Sequence, residues 1–200
     1  MANRDAPLGL IPIRHSNGAP YNGACTAYYV PSTYAVALGV GDPVVLTGTS
    51  NTAAYKGNAP GTLPEINKAT AAGGSYISGV IVGFDLLPDD LTKTYNAAST
   101  ERIVYVADDP DLVFEIQEDS AGTALAATSV GLNADLVYTH AVSTTSGKSG
   151  AELDRSTAAT TNTLQLKIRR LVNRVDNEIG DSGKWEVTIN LHTQRYLTGI

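Results

Sequence analysis

The sequence predicts an all-β protein, a barrel or sandwich of short strands with long loops and an extended N-terminal arm. Residues 163–171 and 184–192 alternate apolar and polar side chains with the two-residue period of a strand. Runs rich in Val, Ile, Thr and Tyr are separated by Gly, Pro and Asp turn signals. No segment keeps a helical 3.6-residue period over three turns. A barrel or sandwich follows, because these architectures limit open sheet edges.

Residues 1–24 form the predicted arm. Its three prolines break any helix and bias the preceding residues to extended geometry. The arm is nevertheless apolar in its middle, at Leu8, Leu10, Ile11 and Ile13. These side chains are poorly suited to water, so they pack either on this chain's own body or on a neighbouring molecule. The sequence leaves both alternatives open.

Residues 25–200 are predicted to form a single β-rich domain. The predicted strands are 25–31, 34–40, 44–47, 76–87, 102–107, 112–118, 132–139, 163–171 and 184–192. Gly41-Asp42-Pro43 and the run Asp108-Asp109-Pro110-Asp111 are turn signals between neighbouring strands. Residues 48–75 and 88–100 are polar and rich in turn-forming residues, so they are predicted to be long loops.

Two strands carry the clearest alternation of side chains. In 163–171 the inward positions are Leu164, Leu166 and Ile168, and the outward positions are Gln165, Lys167 and Arg169. In 184–192 the inward positions are Trp185, Val187, Ile189 and Leu191, and the outward positions are Glu186, Thr188, Asn190 and His192. In 112–118, Leu112, Phe114 and Ile116 share one face. These apolar faces predict the core.

Composition narrows the classes of partner. The formal net charge is −6, and only 17% of residues are charged. Nucleic acid is not expected as a partner, because phosphate binding needs clustered cations. The only basic cluster, Lys167, Arg169, Arg170 and Arg174, has acidic neighbours in the chain and predicts a solvated or salt-bridged face. No apolar run is long enough to span a membrane, and residues 1–14 lack the apolar core of a signal peptide, so we expect a protein made in the cytoplasm.

Known catalytic and ligand-binding patterns are incomplete in this sequence. Residues 146–149 (SGKS) resemble the end of a phosphate-binding loop, and residues 39–41 (GVG) the start of a dinucleotide fingerprint, but each lacks a required glycine. We interpret both as turns. The three histidines are far apart, and Cys25 is the only cysteine, interpreted as a buried small apolar residue. We therefore expect no enzyme activity, no cofactor and no metal.

Tyrosine is enriched, with 10 Tyr against 2 Phe and 1 Trp. A tyrosine ring offers apolar area with a polar tip, which suits protein contacts. The alternative is that many of these rings fill half-buried sheet positions. Together with the apolar arm, they define the predicted interface residues: Leu8, Leu10, Ile11, Ile13, Tyr21, Tyr28 and Tyr29.

Several long stretches resemble one family of structural proteins of tailed-bacteriophage particles, the head decoration or cement proteins. They are LGLIPIRHSNGAPYNGACTAYYVP (8–31), VYVADDPDLVFEIQEDS (104–120), VGLNADLVYT (130–139), STTSGKSGAELDRSTAATTNTLQLKI (143–168), RLVNRVDNEIG (170–180) and KWEVTINLH (184–192). The resemblance is weakest over 48–100.

The resemblance implies a β-rich protein that is often a homotrimer and has no catalytic residues. It also implies a place on the outer surface of the capsid, after synthesis in the host bacterial cytoplasm, with the major capsid protein as partner. Two further hypotheses remain open: another virion component, such as a tail or fibre-base protein, and a carbohydrate-binding β module. The second would use exposed aromatic rings, for which the candidates are Tyr55, Tyr76 and Tyr95.

Overall fold

The computed structural model describes residues 3–195, and its fold is all-β as predicted. Within that range the strands are β1 (Ile11–His15), β2 (Thr26–Val30), β3 (Pro43–Ser50), β4 (Pro64–Lys68), β5 (Gly79–Phe84), β6 (Arg102–Ala107), β7 (Leu112–Gln117), β8 (Asn133–Tyr138), β9 (Ala151–Ala159), β10 (Leu166–Leu171) and β11 (Lys184–Ile189). Two short 3₁₀ turns are the only described helical elements, at Ala127–Ser129 and Thr193–Arg195.

The strands form two sheets that pack together. Five of them close into a barrel in the order β2-β4-β3-β5-β6, in which only the β2–β4 pair is parallel. The other six form an antiparallel sheet in the order β1-β7-β11-β10-β8-β9. β1 is the only strand of this sheet from the N-terminal half of the chain. The predicted arm is therefore extended, but residues 11–15 are an integral sheet strand.

The six-stranded sheet curls back on itself at one end. Glu118, just beyond β7, forms a parallel bridge with Leu153 of β9. The amide of Asp119 donates to the carbonyl of Leu153 at 3.0 Å. Part of the β9 edge is thus covered by the end of β7, which reduces the open edge available for aggregation.

Most of the buried apolar residues belong to one core that both sheets share. Trp185, Phe114 and Leu10 from the six-stranded sheet and the arm lie in the same cluster as Ile77 and Val80 from the barrel side. A smaller cluster fills the barrel, with Val30, Leu38, Val44, Ile66 and Val104 fully buried. The shared core joins the two sheets, consistent with two packed layers around one hydrophobic interior.

Three sequence predictions of local structure were wrong. The 48–75 loop contains the end of β3 and all of β4, whose only buried residue is Ile66. Such a strand has too little apolar alternation to be recognised, yet it pairs with β3 and β2.

Residues 34–40 form no strand, and Leu38 instead makes an isolated bridge to Asn96. β9 was missed because its sequence, AELDRSTAA, is largely polar. The 88–100 loop contains no strand, as predicted.

Some side chains predicted to point outward are buried. The apolar positions of β11 lie in the core as predicted, but Glu186, Thr188 and His192 are buried too. Arg14 of β1 reaches Glu186 at 2.5 Å and Arg170 reaches it at 2.8 Å, so cations cover this face of the sheet. Gln165 is also buried, and its Nε2 donates to the carbonyl of Thr70 at 2.8 Å. The partners of these polar groups lie far away in the chain, so alternation alone does not reveal them.

A buried carboxyl group lies beside an arginine where the six-stranded sheet curls back. Glu118 is fully buried, and its Oε2 accepts the amide of Leu125 at 3.0 Å. Arg155 of β9 lies 3.8 Å from Glu118, and donates to the carbonyls of Ala121 and Gly122 at 3.0 and 2.7 Å. Burial raises the pKa of Glu118 to about 7, against the opposing effects of the Leu125 amide and the Arg155 charge.

This raised pKa predicts a pH-dependent stability. The folded protein keeps a proton on Glu118 up to about pH 7, whereas in the unfolded chain the carboxyl loses it near its ordinary value. Stability from this group is therefore complete below the unfolded pKa and is lost as the pH rises through about 7. Between about pH 5 and 8 the free energy of unfolding should fall by roughly 2–3 kcal/mol more in the wild type than in Glu118→Gln. Denaturant unfolding at each pH measures the two curves, and parallel curves would contradict the assignment.

Candidate functional site: the arm-lined cleft

A single buried carboxylate holds together the elements around the arm. Asp42 follows the glycine turn that leads into β3, and it is fully buried. Its side chain accepts the amide of Gly39 at 2.7 Å and the hydroxyl of Ser149 at 2.5 Å. Lys68 of β4 brings its ammonium group to 2.9 Å. A buried charge needs such pairing and hydrogen bonding, so Asp42 fixes the turn, β4 and the 143–150 segment relative to one another.

The arm crosses this turn at backbone contact. The amide of Leu10 donates to the carbonyl of Gly41 at 3.0 Å. A Cβ atom added to Gly9 would lie 2.3 Å from the Gly41 oxygen, and one added to Gly41 would lie 2.3 Å from the Leu8 oxygen. Both glycines also have positive φ angles, of 71° and 95°. Only glycine fits at this crossing, which therefore fixes the position of the arm.

The two glycine-containing motifs of the sequence meet at the same place. The amide of Val40 donates to the carbonyl of Gly147 at 2.8 Å, and the amide of Ser149 donates back to the carbonyl of Val40 at 2.9 Å. Neither motif is followed by a helix, so neither has the architecture of a phosphate-binding loop. Gly39 allows the two backbone segments to approach closely, since a Cβ atom added there would lie 2.9 Å from the Gly147 oxygen.

A cleft lies between the arm and the barrel, beside this crossing. Its volume is about 260 Å³. Apolar side chains dominate its lining, which consists of Leu8, Leu10, Ile11, Pro12, Tyr21, Val40, Gly41, Ile81, Val82 and Lys148. Past Tyr21 and Val82 it continues into a second depression of about 340 Å³ that Gly23, Cys25 and Tyr105 also line. We call the two together the arm-lined cleft.

The structure brings together four of the seven predicted interface residues. Leu8, Leu10, Ile11 and Tyr21 all line the arm-lined cleft. Leu10 is only 1% exposed and packs in the shared core, whereas Leu8 is 39% exposed at the rim. Of the two alternatives for the apolar arm, packing on the chain's own body therefore holds for Leu10.

The other three predicted interface residues lie apart from the cleft. Ile13 is half-buried in β1 and does not line it. Tyr28 is buried inside the barrel, with its hydroxyl donating to Asp108 at 2.8 Å. The neighbouring Tyr29 donates to Glu101 and packs edge-on against the ring of Tyr55. The two tyrosines point to opposite sides of one strand, so they cannot share a surface.

Cys25 was wrongly predicted to be buried. It is exposed, just before β2, and it lines the outer part of the arm-lined cleft. The hydroxyl of Tyr21 donates to the carbonyl of Ala24 at 2.8 Å, which holds the turn that carries Cys25. Partial burial raises the pKa of the Tyr21 phenol, with smaller contributions from Cys25 and Asp108. The Tyr21 hydroxyl therefore serves as a neutral hydrogen-bond donor at the mouth of the cleft.

The electrostatic character of the cleft differs from that of the whole chain. The protein carries 20 acidic residues, but no carboxylate lines either part of the cleft. Lys148 is the one charged lining residue, and it makes no ion pair with any acidic residue of 3–195. Sequence reasoning missed Lys148, Ile81 and Val82, since only the fold places them beside the arm.

Residues 3–195 contain no group of three or more His, Cys, Asp or Glu side chains arranged to hold a metal ion. The acidic run 108–111 acts as a turn, in which Asp109 accepts the amide of Asp111 at 2.8 Å. His192 is fully buried, and burial lowers its pKa to about 4. It is therefore neutral near pH 7. No described helix is long and apolar enough to cross a membrane.

Comparison of the chain with models of protein families, with curated proteins and with solved structures gave no match.

Burial predicts different costs for the two leucines of the arm. Leu10→Ala should lower the free energy of unfolding by about 2–5 kcal/mol, because it leaves a cavity in the shared core. Leu8→Ala should change it by no more than about 0.5 kcal/mol. Denaturant unfolding measures both. Equal effects of the two substitutions would show that the arm does not pack on the body in solution.

Replacing the buried aspartate Asp42 should destabilise the protein more than replacing an exposed one. Asp42→Ala should lower the free energy of unfolding by about 3–5 kcal/mol, because Lys68 is left with an uncompensated charge near the core. Asp176→Ala is the matched control, since Asp176 is exposed and pairs only with Arg174 at 3.4 Å. It should cost less than about 1 kcal/mol. If Asp42→Ala were as stable as the control, Asp42 would not hold the turn, β4 and the 143–150 segment together.

Proposed function

We propose that this chain is a non-enzymatic structural protein of a tailed-bacteriophage particle, a decoration or cement protein that binds the outer surface of the capsid. The major capsid protein is its partner, and a homotrimer is its working form. It stabilises contacts between neighbouring capsomers by burying surface against more than one of them. Attachment at several points raises the effective concentration of each further contact, so each one can be modest.

One observation carries this proposal: the stretches that resemble the family together contain every strand of the six-stranded sheet. They lie in two parts of the chain, 8–31 and 104–192. All six strands of the six-stranded sheet lie within these two parts. The stretch of weakest resemblance, 48–100, supplies parts of the barrel instead, including β4 and β5. The same stretches also contain β2 and most of β6, two barrel strands that pair with each other, so the resemblance extends over the sheet and the adjoining side of the barrel.

The surface chemistry also supports a role in protein contacts. Only 17% of the residues are charged, below the usual quarter of soluble domains. Exposed apolar side chains occur, with Val175 96% and Leu91 71% exposed, but single exposed side chains are common on any protein. Leu8 differs from them because it lies at the rim of an apolar cleft. The rigid sheet beneath it provides a fixed contact surface.

The carbohydrate-binding alternative has weaker support. Of its three candidate rings, Tyr55 packs edge-on against Tyr29 with the ring centroids 5.7 Å apart. Its hydroxyl donates to the carbonyl of Glu101 at 3.0 Å. Lys93 lies over the ring of Tyr95, 5.7 Å from its centroid. The rings of Tyr55 and Tyr95 thus have protein partners where a sugar platform would need a free face.

The proposal is tested with the phage whose genome carries this reading frame. Electron microscopy of purified particles should show density for this chain on the outer capsid surface, absent from particles of a deletion mutant. Purified protein added back to those mutant heads should co-sediment with them, while heads already carrying the protein bind none. Light scattering of the free protein should give about three times the 20.9 kDa of one chain. Density on the tail would favour the other virion component, and absence from the particle would overturn the proposal.

A further inference from the structure

The arm-lined cleft is the surface whose chemistry best defines a partner. We propose that it binds an extended segment of the major capsid protein, with an apolar side chain between Leu8 and Val82 and a carboxylate facing Lys148. This inference rests on the proposed function and names the part of the chain that meets the shell. The contact surface is the groove that the arm and the barrel form together, and neither the arm nor the predicted tyrosines would form it alone.

Charge complementarity identifies the chemistry of the segment. The chain carries a net charge of −6, yet the whole cleft lacks a carboxylate and has Lys148 as its one charged lining residue. An acidic partner is repelled by most of this protein and is attracted here. A local positive charge on a negatively charged protein favours one orientation of the partner and speeds its association with the cleft.

The shape of the cleft favours an extended peptide over a compact ligand. Its inner part, of about 260 Å³, shares Tyr21 and Val82 with the second depression, of about 340 Å³. It opens past Tyr21 into the second depression, which makes a groove rather than an enclosed cavity. A groove lined mainly by apolar side chains, with one lysine in its inner part, suits an extended chain that inserts one anchor residue.

The mode of recognition follows from the edge of the sheet beside the cleft. Pro12 has no amide to offer to an added strand, and the carbonyl of Ile13 already accepts the amide of Tyr21 at 3.3 Å. Addition of a partner strand to β1 is therefore blocked. The partner must bind through its side chains, which contact Leu8, Ile11 and Val82.

The cleft is also organised before the partner arrives. Its wall at Val40 and Gly41 is held by Asp42 and by the glycine crossing with the arm. Its floor at Leu10 and Ile81 is buried in the two hydrophobic clusters. A preformed site loses little conformational entropy on binding, so a short segment can bind with useful affinity.

The test measures binding to heads from the deletion mutant. Lys148→Glu should weaken binding at least about tenfold at low salt, with a smaller loss at high salt, because the contact is electrostatic. Leu8→Ser should weaken it several-fold. The matched controls are Lys167→Glu, on an exposed part of β10, and Leu91→Ser, on the 88–100 loop. Both controls should bind within about twofold of wild type, and all four variants should keep the wild-type unfolding free energy within about 0.5 kcal/mol.

The outcomes separate this inference from the proposed function. If the wild type does not bind the heads, the proposed function fails. If the wild type binds, and Lys148→Glu and Leu8→Ser bind as well as their controls, the cleft proposal fails while the function stands. Val82→Trp, which fills the cleft, gives a second readout. Loss of head binding by this variant at unchanged oligomeric mass supports the proposal, whereas a change of mass in solution would make a second copy of this chain the occupant and overturn it.

Discussion

The structure depends on one buried charge at the point where its parts meet. Asp42 accepts hydrogen bonds from Gly39 and Ser149 and pairs with Lys68, and each partner belongs to a different segment of the chain. A solvated aspartate at a surface turn could not impose this geometry, since exposed ion pairs contribute little. A buried carboxylate without its partners is so unfavourable that the three segments are held in one arrangement. The turn before β3, strand β4 and the 143–150 segment take their relative positions from it, and the arm crosses that turn at Gly41.

Sequence patterns predicted the strands that bury an apolar face and expose a polar one. Strict alternation identified β10 and β11, and Trp185 lies in the core as its position in the pattern indicated. β4 and β9 were missed because polar side chains fill most of their positions and are satisfied by distant partners. Asp42 was recognised only as part of a turn signal. Its contact with Ser149 spans 107 residues, and a local pattern carries no information about such a pairing.

The candidate site was predicted in part. The apolar arm residues lie where a contact surface can form, but Leu10 serves the core and only Leu8 reaches the rim. The opposite wall comes from Ile81, Val82 and Lys148, which no motif connects to the arm. The strand that completes the sheet thus also provides one side of the groove. Any change that loosens the arm would alter the interior of the protein and its proposed contact surface together.

The position of β1 has a consequence for how the chain folds during synthesis. The barrel strands β2–β6 are complete once Ala107 has left the ribosome, and their contacts can form early. β7 lies between β1 and β11, so the middle of the other sheet cannot form until Ile189 has been made. β1 pairs with β7, so the arm gains its sheet partner once Gln117 has been made, but the other side of β7 stays open until β11 follows. The half-built sheet exposes its apolar face over that interval, which makes the nascent chain most prone to aggregation before β11 is complete.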